Sequence, residues 1–180
     1  MRDLSLHVLD LVQNSLAAQA TEIEITIDED LDRNLLTLCV RDNGRGMSKE
    51  QCAAALDPFY TTRTTRKVGL GLPLIKAAAE RAGGQLQIQS QLGLGTTVTA
   101  TFQHDHLDRA PIGDMSLTLM SIIALNEECQ FTYRHRRGKR EFAISSAELR
   151  QELEGLPLDH PQITAWLREY VREQEKSLEV

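Results

Sequence analysis

Asp10 and Asn14 are spaced to act together if residues 4–18 form a helix. The apolar residues of this segment recur at three- and four-residue intervals, which predicts an amphipathic helix. Side chains four residues apart on a helix point the same way, so Asp10 and Asn14 are expected one turn apart. An Asn amide oxygen suits Mg²⁺, and a nearby carboxylate can orient or deprotonate a hydroxyl group or water. Alone, such a pair is more typical of a solvated surface.

Two glycine-bearing segments can bring backbone groups close to a ligand. The segment DNGRGM at 42–47 offers Asp42 as an acceptor for an exocyclic amine, while Gly44 and Gly46 allow a close backbone approach. The segment GLGL at 69–72 precedes a predicted helix, whose first N–H groups suit phosphate. Taken singly, the first is more often a turn and the second a glycine-rich connector.

A loop and a second glycine turn complete the candidate chemistry. Residues 59–68, FYTTRTTRKV, show no clear period and contain four Thr and three basic residues. The basic residues Arg63, Arg66 and Lys67 therefore stand beside the glycines that suit phosphate. The segment GLGTTV at 93–98 is by itself an ordinary hairpin turn.

Helices and strands must position these residues. Alternation of apolar and polar residues predicts strands at 22–28, 35–41, 85–90 and 97–102. Ser48 as N-cap and Gln51 at the capping-box position begin a helix that ends near Leu56. Another helix begins after Gly71 and ends at Gly83–Gly84. Beyond a linker near residue 104, the pattern predicts a helix at 115–125, a hairpin of 130–136 with 140–145, and helices at 146–154 and 161–176.

Composition limits the class of protein. The chain has 180 residues, a net charge of −6 and 41% hydrophobic residues, as expected of a soluble globular protein. No apolar run approaches the ~20 residues that cross a bilayer, and acids interrupt the apolar start, which argues against a signal peptide. Three scattered cysteines without CxxC favour a reducing cytoplasm over a disulfide framework. The acidic balance argues against general nucleic-acid binding.

Three other segments have alternative interpretations. His104-x-His106 suggests a metal site but is more typical of a solvated linker. The basic hairpin tip at 134–140 suits an acidic partner or nucleic acid, although a charged strand surface is the simpler interpretation. Residues 115–125, MSLTLMSIIAL, are expected in the core, with a subunit interface, and hence a homodimer, as the alternative.

Together and in order, these segments resemble the ATP-binding superfamily of sensor histidine kinases, DNA gyrase B, the large heat-shock chaperones and mismatch-repair MutL. The N box corresponds to LDLVQNSLAAQATEIEI, the first glycine box to DNGRGM and the phenylalanine box to PFYTTR. The second glycine box corresponds to GLGLPLIK and the third to GLGTTV, so the resemblance spans about residues 4–102. The resemblance implies an α/β two-layer sandwich for residues 1–103, with helices on one face of a mixed, mostly antiparallel sheet. Residues 104–180 are expected to form a small α+β extension.

The resemblance also implies ATP and Mg²⁺ as ligands, with a role for each matching residue. Asn14 matches the asparagine that binds Mg²⁺. The implied adenine contacts are Asp42, Gly44, Gly46, Met47 and Thr96. The implied phosphate and lid contacts are Phe59, Arg63, Lys67, Gly69, Leu70, Gly71 and Leu72.

Asp10 departs from the family pattern in an informative way. The ATPases and anti-sigma serine kinases of the superfamily have Glu four residues before the Asn, whereas sensor histidine kinases usually have Asn. Asp has the chemistry of a catalytic base on a shorter side chain. His7, three residues before Asp10, is expected to orient Asp10 or lie on the surface rather than carry phosphate.

Three functions remain open at this point. Because the N box begins near residue 1, no phosphoacceptor helix hairpin is expected before it, and a kinase would transfer phosphate to a regulatory partner protein in trans. The first alternative is a slow ATPase in which hydrolysis drives lid closure and dimerisation. The second is a non-catalytic nucleotide sensor, in which ATP changes the affinity for a partner.

Overall fold

The structure is a computed structural model that describes residues 2–59 and 71–180. Six helices and six strands are defined in the described residues. The helices are α1 (Leu4–Ala17), α2 (Lys49–Ala55), α3 (Gly71–Arg81), α4 (Met115–Leu125), α5 (Ser146–Glu152) and α6 (Pro161–Glu179). The strands are β1 (Glu22–Asp30), β2 (Leu35–Asp42), β3 (Leu86–Gln91), β4 (Gly95–Gln103), β5 (Gln130–Arg137) and β6 (Arg140–Ser145).

The six strands form one mixed sheet in the order β3-β4-β2-β1-β5-β6. Neighbouring strands are antiparallel except β1 and β5, which run parallel with Glu22 opposite Gln130. A parallel pair needs a long crossover, and the described part of the chain between β1 and β5 contains three strands and three helices. The predicted mixed, mostly antiparallel sheet is confirmed.

The helices cover one face of this sheet. On β1 the apolar side chains Ile23, Ile25 and Ile27 are buried toward the helices, whereas Glu22 and Glu24 on the opposite face are exposed. The same alternation continues on β2, β4 and β5, so the core lies between one sheet face and the helical layer. The result is the predicted two-layer α/β sandwich. No helix within residues 2–59 and 71–180 is both long and apolar enough to span a membrane.

The segment after residue 104 supports helix α1 directly. The first N–H groups of an α-helix lack partners inside the helix. Here the N–H groups of Leu4 and Ser5 donate to the carbonyl oxygens of Pro111 (2.9 Å) and Ile112 (2.8 Å). Helix α4 packs against both α1 and α6, with Met115 and Leu119 buried. The linker and α4 therefore fix the position of α1 and the residues it presents.

A buried polar cluster joins β1 to the second half of the chain. Glu29 is 1% exposed, and both of its carboxylate oxygens are hydrogen-bonded. Its Oε1 pairs with His135 Nε2 (2.8 Å), and its Oε2 pairs with His104 Nε2 (2.6 Å) and accepts from Arg137 Nη1 (3.1 Å). The interpretation of His104 as part of a solvated linker is wrong, because its imidazole is largely buried against Glu29.

Much of the charge on the basic hairpin tip is paired within the protein. Arg136 makes two hydrogen bonds to the Asp28 carboxylate, and Arg137 binds Glu29. Arg134 lies 3.6 Å from a carboxylate oxygen of Glu141 across the hairpin. The Arg136 and Arg137 pairs join the hairpin to β1, and the three strands belong to one continuous sheet. The division of the chain into units 1–103 and 104–180 stays a prediction.

Candidate nucleotide-binding site

A cavity of about 460 Å³ opens between α1, the end of β2, α2 and the turn joining β3 to β4. The predicted binding residues that line it are Asn14, Asp42, Gly46, Met47, Leu72 and Thr96. Most of the remaining wall is apolar, including Leu11, Val40 and Val98. A largely apolar cavity with a few polar groups is the usual form of a small-molecule site.

Helix α1 forms one long side of the site. Asp10, Asn14 and Ala18 follow one another at one-turn spacing along the same side of the chain. Near Asp10 lies the start of α3, since a Cβ on Gly71 would be 3.3 Å from Asp10 Cβ and 3.6 Å from Asn14 Nδ2. Near Ala18 lies the first glycine box, since a Cβ on Gly44 would be 2.8 Å from the Ala18 carbonyl oxygen.

This arrangement places the start of α3 and the first glycine box at different points along α1. Asp10 and Ala18 are eight residues apart, which corresponds to roughly 12 Å of helix. The second glycine box therefore meets α1 about two turns from the first glycine box. An elongated ligand with two chemically different ends fits such a site.

Asp42 is held by two hydrogen bonds and keeps acceptor capacity on its carboxylate. Ser15 Oγ–H donates to Asp42 Oδ2 (2.6 Å), and the Gly44 N–H donates to Oδ1 (2.8 Å). A carboxylate offers about four acceptor positions, so two remain for a ligand. Because Asp42 lines the cavity, an exocyclic amine in the cavity can donate to it.

Thr96 lies directly opposite Asp42 in the β2–β4 ladder. Its Oγ1 is 2.7 Å from Ser90 Oγ, which also accepts from the Met47 N–H (2.7 Å) and lies 3.1 Å from the Gly95 carbonyl oxygen. Ser90 thus ties the first and third glycine boxes together. Ser90 is not predictable from the sequence, because a serine in an alternating strand carries no motif signal.

Gly46 is required by backbone geometry. Its φ is +71°, and a Cβ at this position would lie 2.0 Å from the carbonyl oxygen of Gln91. No side chain fits at such a distance from a backbone atom. Nearby, the Gly93 N–H donates a hydrogen bond to the Arg45 carbonyl oxygen (2.7 Å). This hydrogen bond holds the first glycine box against the turn after β3.

We expect Gly46→Ala to destabilise the fold by about 3 kcal/mol, because it combines a strained φ with a backbone clash. Gly93→Ala is the matched control, since Gly93 also has a positive φ (+79°) but has no atom within 4 Å of its Cβ position. This control should lose only about 1 kcal/mol. Urea unfolding followed by circular dichroism measures both. Equal losses would show that the contact with Gln91 is not what demands glycine at position 46.

Asp10 is partly buried and paired with Arg2. The Arg2 Nη2 lies 2.5 Å from Asp10 Oδ2, and the Asp10 side chain is 25% exposed. Burial raises the pKa of Asp10, although the charge and hydrogen bond of Arg2 oppose this. A carboxylate with a raised pKa is a stronger base, which suits the predicted catalytic role.

His7 differs from its expected position. It is 2% exposed, and within the described part of the chain its Nδ1 has no hydrogen-bond partner. The expectation that His7 lies on the surface is therefore wrong. Burial, with a smaller contribution from the Arg2 charge, lowers the pKa of His7 to about 4, so the ring is neutral at neutral pH. An imidazole buried in this way is also poorly placed to accept phosphate.

Only some of the other predicted residues lie near the cavity in the described structure. Gly44 and Gly71 are buried next to α1, as described above. Phe59 is 91% exposed and does not line the cavity. Arg63, Lys67, Gly69 and Leu70 lie outside the described residues, so their roles stay predictions. Cavity residues that sequence reasoning missed include Arg45, Gln51 and Leu92.

Comparison with known proteins agrees with this arrangement. Residues 2–106 match the family model for the histidine kinase-, DNA gyrase B- and HSP90-like ATPases. The chain belongs to this family. The match covers α1 to β4, and therefore includes every described residue that the motifs placed in the site.

Curated relatives in this family include bacterial sensor kinases. The chain is 33% identical over 99 residues to the C4-dicarboxylate transport sensor protein DctB of Pseudomonas aeruginosa, covering 54% of this chain and 16% of that protein. It is 34% identical over 102 residues to the histidine protein kinase DivJ of Caulobacter vibrioides, covering 54% and 17%. This family member thus spans less than a fifth of the length of either relative.

Solved structures show the same fold at low sequence identity. The MutL ATPase domain of Aquifex aeolicus, solved with ADP, matches with a TM-score of 0.51 at 19% identity, covering 86% of this chain and 68% of that one. The N-terminal domain of a DNA repair protein matches with a TM-score of 0.50 at 18% identity, covering 80% and 52%. Both overlaps are larger than residues 2–106, so the shared fold takes in part of the second half of this family member.

Proposed function

We propose that this chain binds ATP with Mg²⁺ in the cavity beside α1 and transfers the terminal phosphate to a regulatory partner protein in trans. The observation that carries the proposal is that one helix face presents Asp10 and Asn14 to the start of α3, two turns from the Asp42 loop. Family membership and the similarity to sensor kinases support it. The scattered free cysteines fit a reducing cytoplasm as the place of action.

The residues present fit these ligands chemically. The apolar wall suits the faces of an adenine ring, and Asp42 keeps acceptor capacity for its amine. The amide oxygen of Asn14 is a hard ligand of the kind that Mg²⁺ shares with phosphate oxygens and waters. The first turn of α3 offers N–H groups that have no partner inside the helix, together with the positive end of the helix dipole, and both favour an anion.

Bound ATP supplies a terminal phosphate whose transfer depends mainly on positioning and charge neutralisation. Asn14 would hold the metal. Asp10, one turn earlier on α1, would orient the acceptor group and take its proton. Asp10 is a carboxylate where sensor histidine kinases usually have Asn, so this chain carries a base within its own ATP-binding helix.

Replacing Asp10 should separate catalysis from binding. We expect Asp10→Asn to lower phosphate transfer roughly 100-fold, as is typical for loss of a general base, while ATP still binds. Asn14→Ala should instead remove the Mg²⁺-dependent part of the ATP affinity, because it deletes the proposed metal ligand. The assay incubates each protein with γ-labelled ATP, Mg²⁺ and a heat-treated extract of the native cells as acceptor pool.

The same samples distinguish the alternatives. Label on a protein that depends on Asp10 supports the kinase. If free phosphate is released without labelled protein, and Asp10→Asn abolishes this release, the chain is a slow ATPase instead. Tight ATP binding with neither product identifies a nucleotide sensor, and absence of ATP binding by the wild type rejects the proposal altogether.

A further inference from the structure

Arg2 is the cation nearest to the proposed catalytic carboxylate in the described structure. Its guanidinium lies 2.5 Å from Asp10 Oδ2, and Asp10 is its only hydrogen-bond partner among residues 2–59 and 71–180. The Arg2 side chain is 39% exposed, so it approaches Asp10 from the solvent side of α1. Neither the motifs nor the family resemblance assigns Arg2 a role.

The position of this pair matters because Asp10 lies against the start of α3. A Cβ on Gly71 would be 3.3 Å from Asp10 Cβ, so the carboxylate stands beside the N–H groups proposed to face the phosphates. A negative charge there repels a terminal phosphate, and Arg2 offsets that charge. Exposed ion pairs are weak, so Arg2 can leave Asp10 at little cost.

A terminal phosphate is the better partner for this guanidinium. It carries more negative charge than a carboxylate and accepts two parallel hydrogen bonds from an arginine. The terminal phosphate also distinguishes ATP from ADP. An arginine that reaches it therefore reports which nucleotide is present.

We propose that Arg2 is a nucleotide-binding residue that leaves Asp10 for the terminal phosphate of ATP, which releases Asp10 to act on the acceptor. This inference rests on the proposed function and extends it. In the ADP state Arg2 stays on Asp10 and keeps the base engaged. In the ATP state Arg2 adds affinity and Asp10 becomes available.

Calorimetric titration with Mg²⁺ and either ATP or ADP tests this role. We expect Arg2→Ala to weaken ATP binding about 10-fold and to change ADP binding less than about 2-fold. Arg2→Lys should lose less ATP affinity, because lysine keeps the charge without the paired hydrogen bonds. Arg136→Ala is the matched control, since it removes an exposed arginine–carboxylate pair on the opposite face of the sheet and should leave both affinities unchanged.

The Asp10→Asn background separates direct contact from simple charge neutralisation. If Arg2 binds the phosphate, adding Arg2→Ala to Asp10→Asn should again cost about 10-fold in ATP affinity. Disappearance of the loss in this background would overturn the proposal, because Arg2 would then only screen Asp10. Equal losses for ATP and ADP, or no loss for either, would overturn it while leaving the proposed function intact. A wild-type protein that binds neither nucleotide rejects the proposed function itself.

Discussion

Asp42→Asn should weaken the binding of ATP and of ADP alike, by roughly 100-fold. The substitution loses a hydrogen bond to a charged acceptor and leaves a buried donor unpaired, and together these have an effect of about this size. The wild-type carboxylate accepts from Ser15 and Gly44 and still offers acceptor positions to the cavity. An amide keeps one oxygen and replaces the other with an NH₂ group. Turned toward Gly44, that NH₂ group faces a backbone N–H donor. Turned toward Ser15, it can donate to the hydroxyl group but cannot accept from the adenine amine on that side.

Calorimetric titration with ATP, ADP and GTP measures this effect and its specificity. Guanine has a carbonyl oxygen where adenine has its amine, so Asp42→Asn should also reduce the preference for ATP over GTP. Asp28→Asn is the matched control, because Asp28 lies on the opposite face of the sheet and pairs with Arg136. A folded Asp42→Asn protein that binds ATP as the wild type does would remove Asp42 from the adenine site.

Much of the site can be predicted from the sequence, although its residues lie far apart along the chain. Asp10 and Asn14 share a helix, so their spacing alone places them together, and the family resemblance brings Gly71 beside them. In the structure, a Cβ on Gly71 would lie within 4 Å of both side chains. Ser15 and Ser90 were not predicted, because their roles depend on hydrogen bonds to Asp42 and Met47 that no local pattern reveals.

The connection between the two halves of the chain could not be read from the sequence. Alternation correctly predicts β1 and β5 as strands, but parallel pairing of residues 22–29 with 130–137 crosses more than half of the chain. Three polar side chains that would ordinarily be expected at the solvent-exposed surface are those of Glu29, His104 and His135. They are buried because each meets an opposite charge or a hydrogen-bond partner from a distant element.

His135 should make the stability of the whole sheet depend on pH. Its Nε2 pairs with Glu29, and its Nδ1 lies 2.8 Å from Glu175 on α6, whose other oxygen accepts from Tyr133 (2.9 Å). Burial disfavours the charged ring, but the hydrogen bonds and charges of Glu175 and Glu29 outweigh it and raise the pKa of His135 to about 9. Burial raises the pKa of Glu29, but the hydrogen bonds from His135 and His104, with the charges of His135 and Arg137, outweigh it and lower this pKa to about 2.

The sign follows from the folded and unfolded pKa values. Because the pKa of His135 is higher in the folded protein, its stabilisation is complete below the unfolded value of 6.5 and is lost as pH rises through about 9. The loss should be about 3 kcal/mol. Below pH 6.5, His7 is the first group to reduce stability. Its pKa is about 4 in the folded protein and 6.5 in the unfolded chain, so its contribution to the free energy of unfolding is lost as pH falls from 6.5 to about 4. Glu29, with a folded pKa of about 2 against 4.5, adds a further loss below pH 4.5. The free energy of unfolding should therefore be greatest near pH 6.5.

His135→Gln should remove the alkaline decline and cost about 3 kcal/mol at pH 6.5, since the buried Glu29 and the partly buried Glu175 then lose the cation between them. His106→Gln is the matched control, because among the described residues the His106 side chain accepts a hydrogen bond only from the backbone N–H of Asp108 in its own linker. Urea unfolding at pH 6.5 and 9 measures both variants. An alkaline decline that persists in His135→Gln would show that another group causes it.

The same experiment tests whether residues 1–103 and 104–180 unfold separately. Trp166 is the only tryptophan and lies on α6, so its fluorescence reports the second half, whereas circular dichroism reports all elements. The Glu29–His135–Glu175 chain crosses from β1 through β5 to α6, and it should make the two transitions coincide in the wild type. Loss of His135 removes the central link, so the Trp166 transition should then move to lower urea than the transition seen by circular dichroism. Transitions that are already separate in the wild type would show that the sheet, although continuous, does not unfold as one unit.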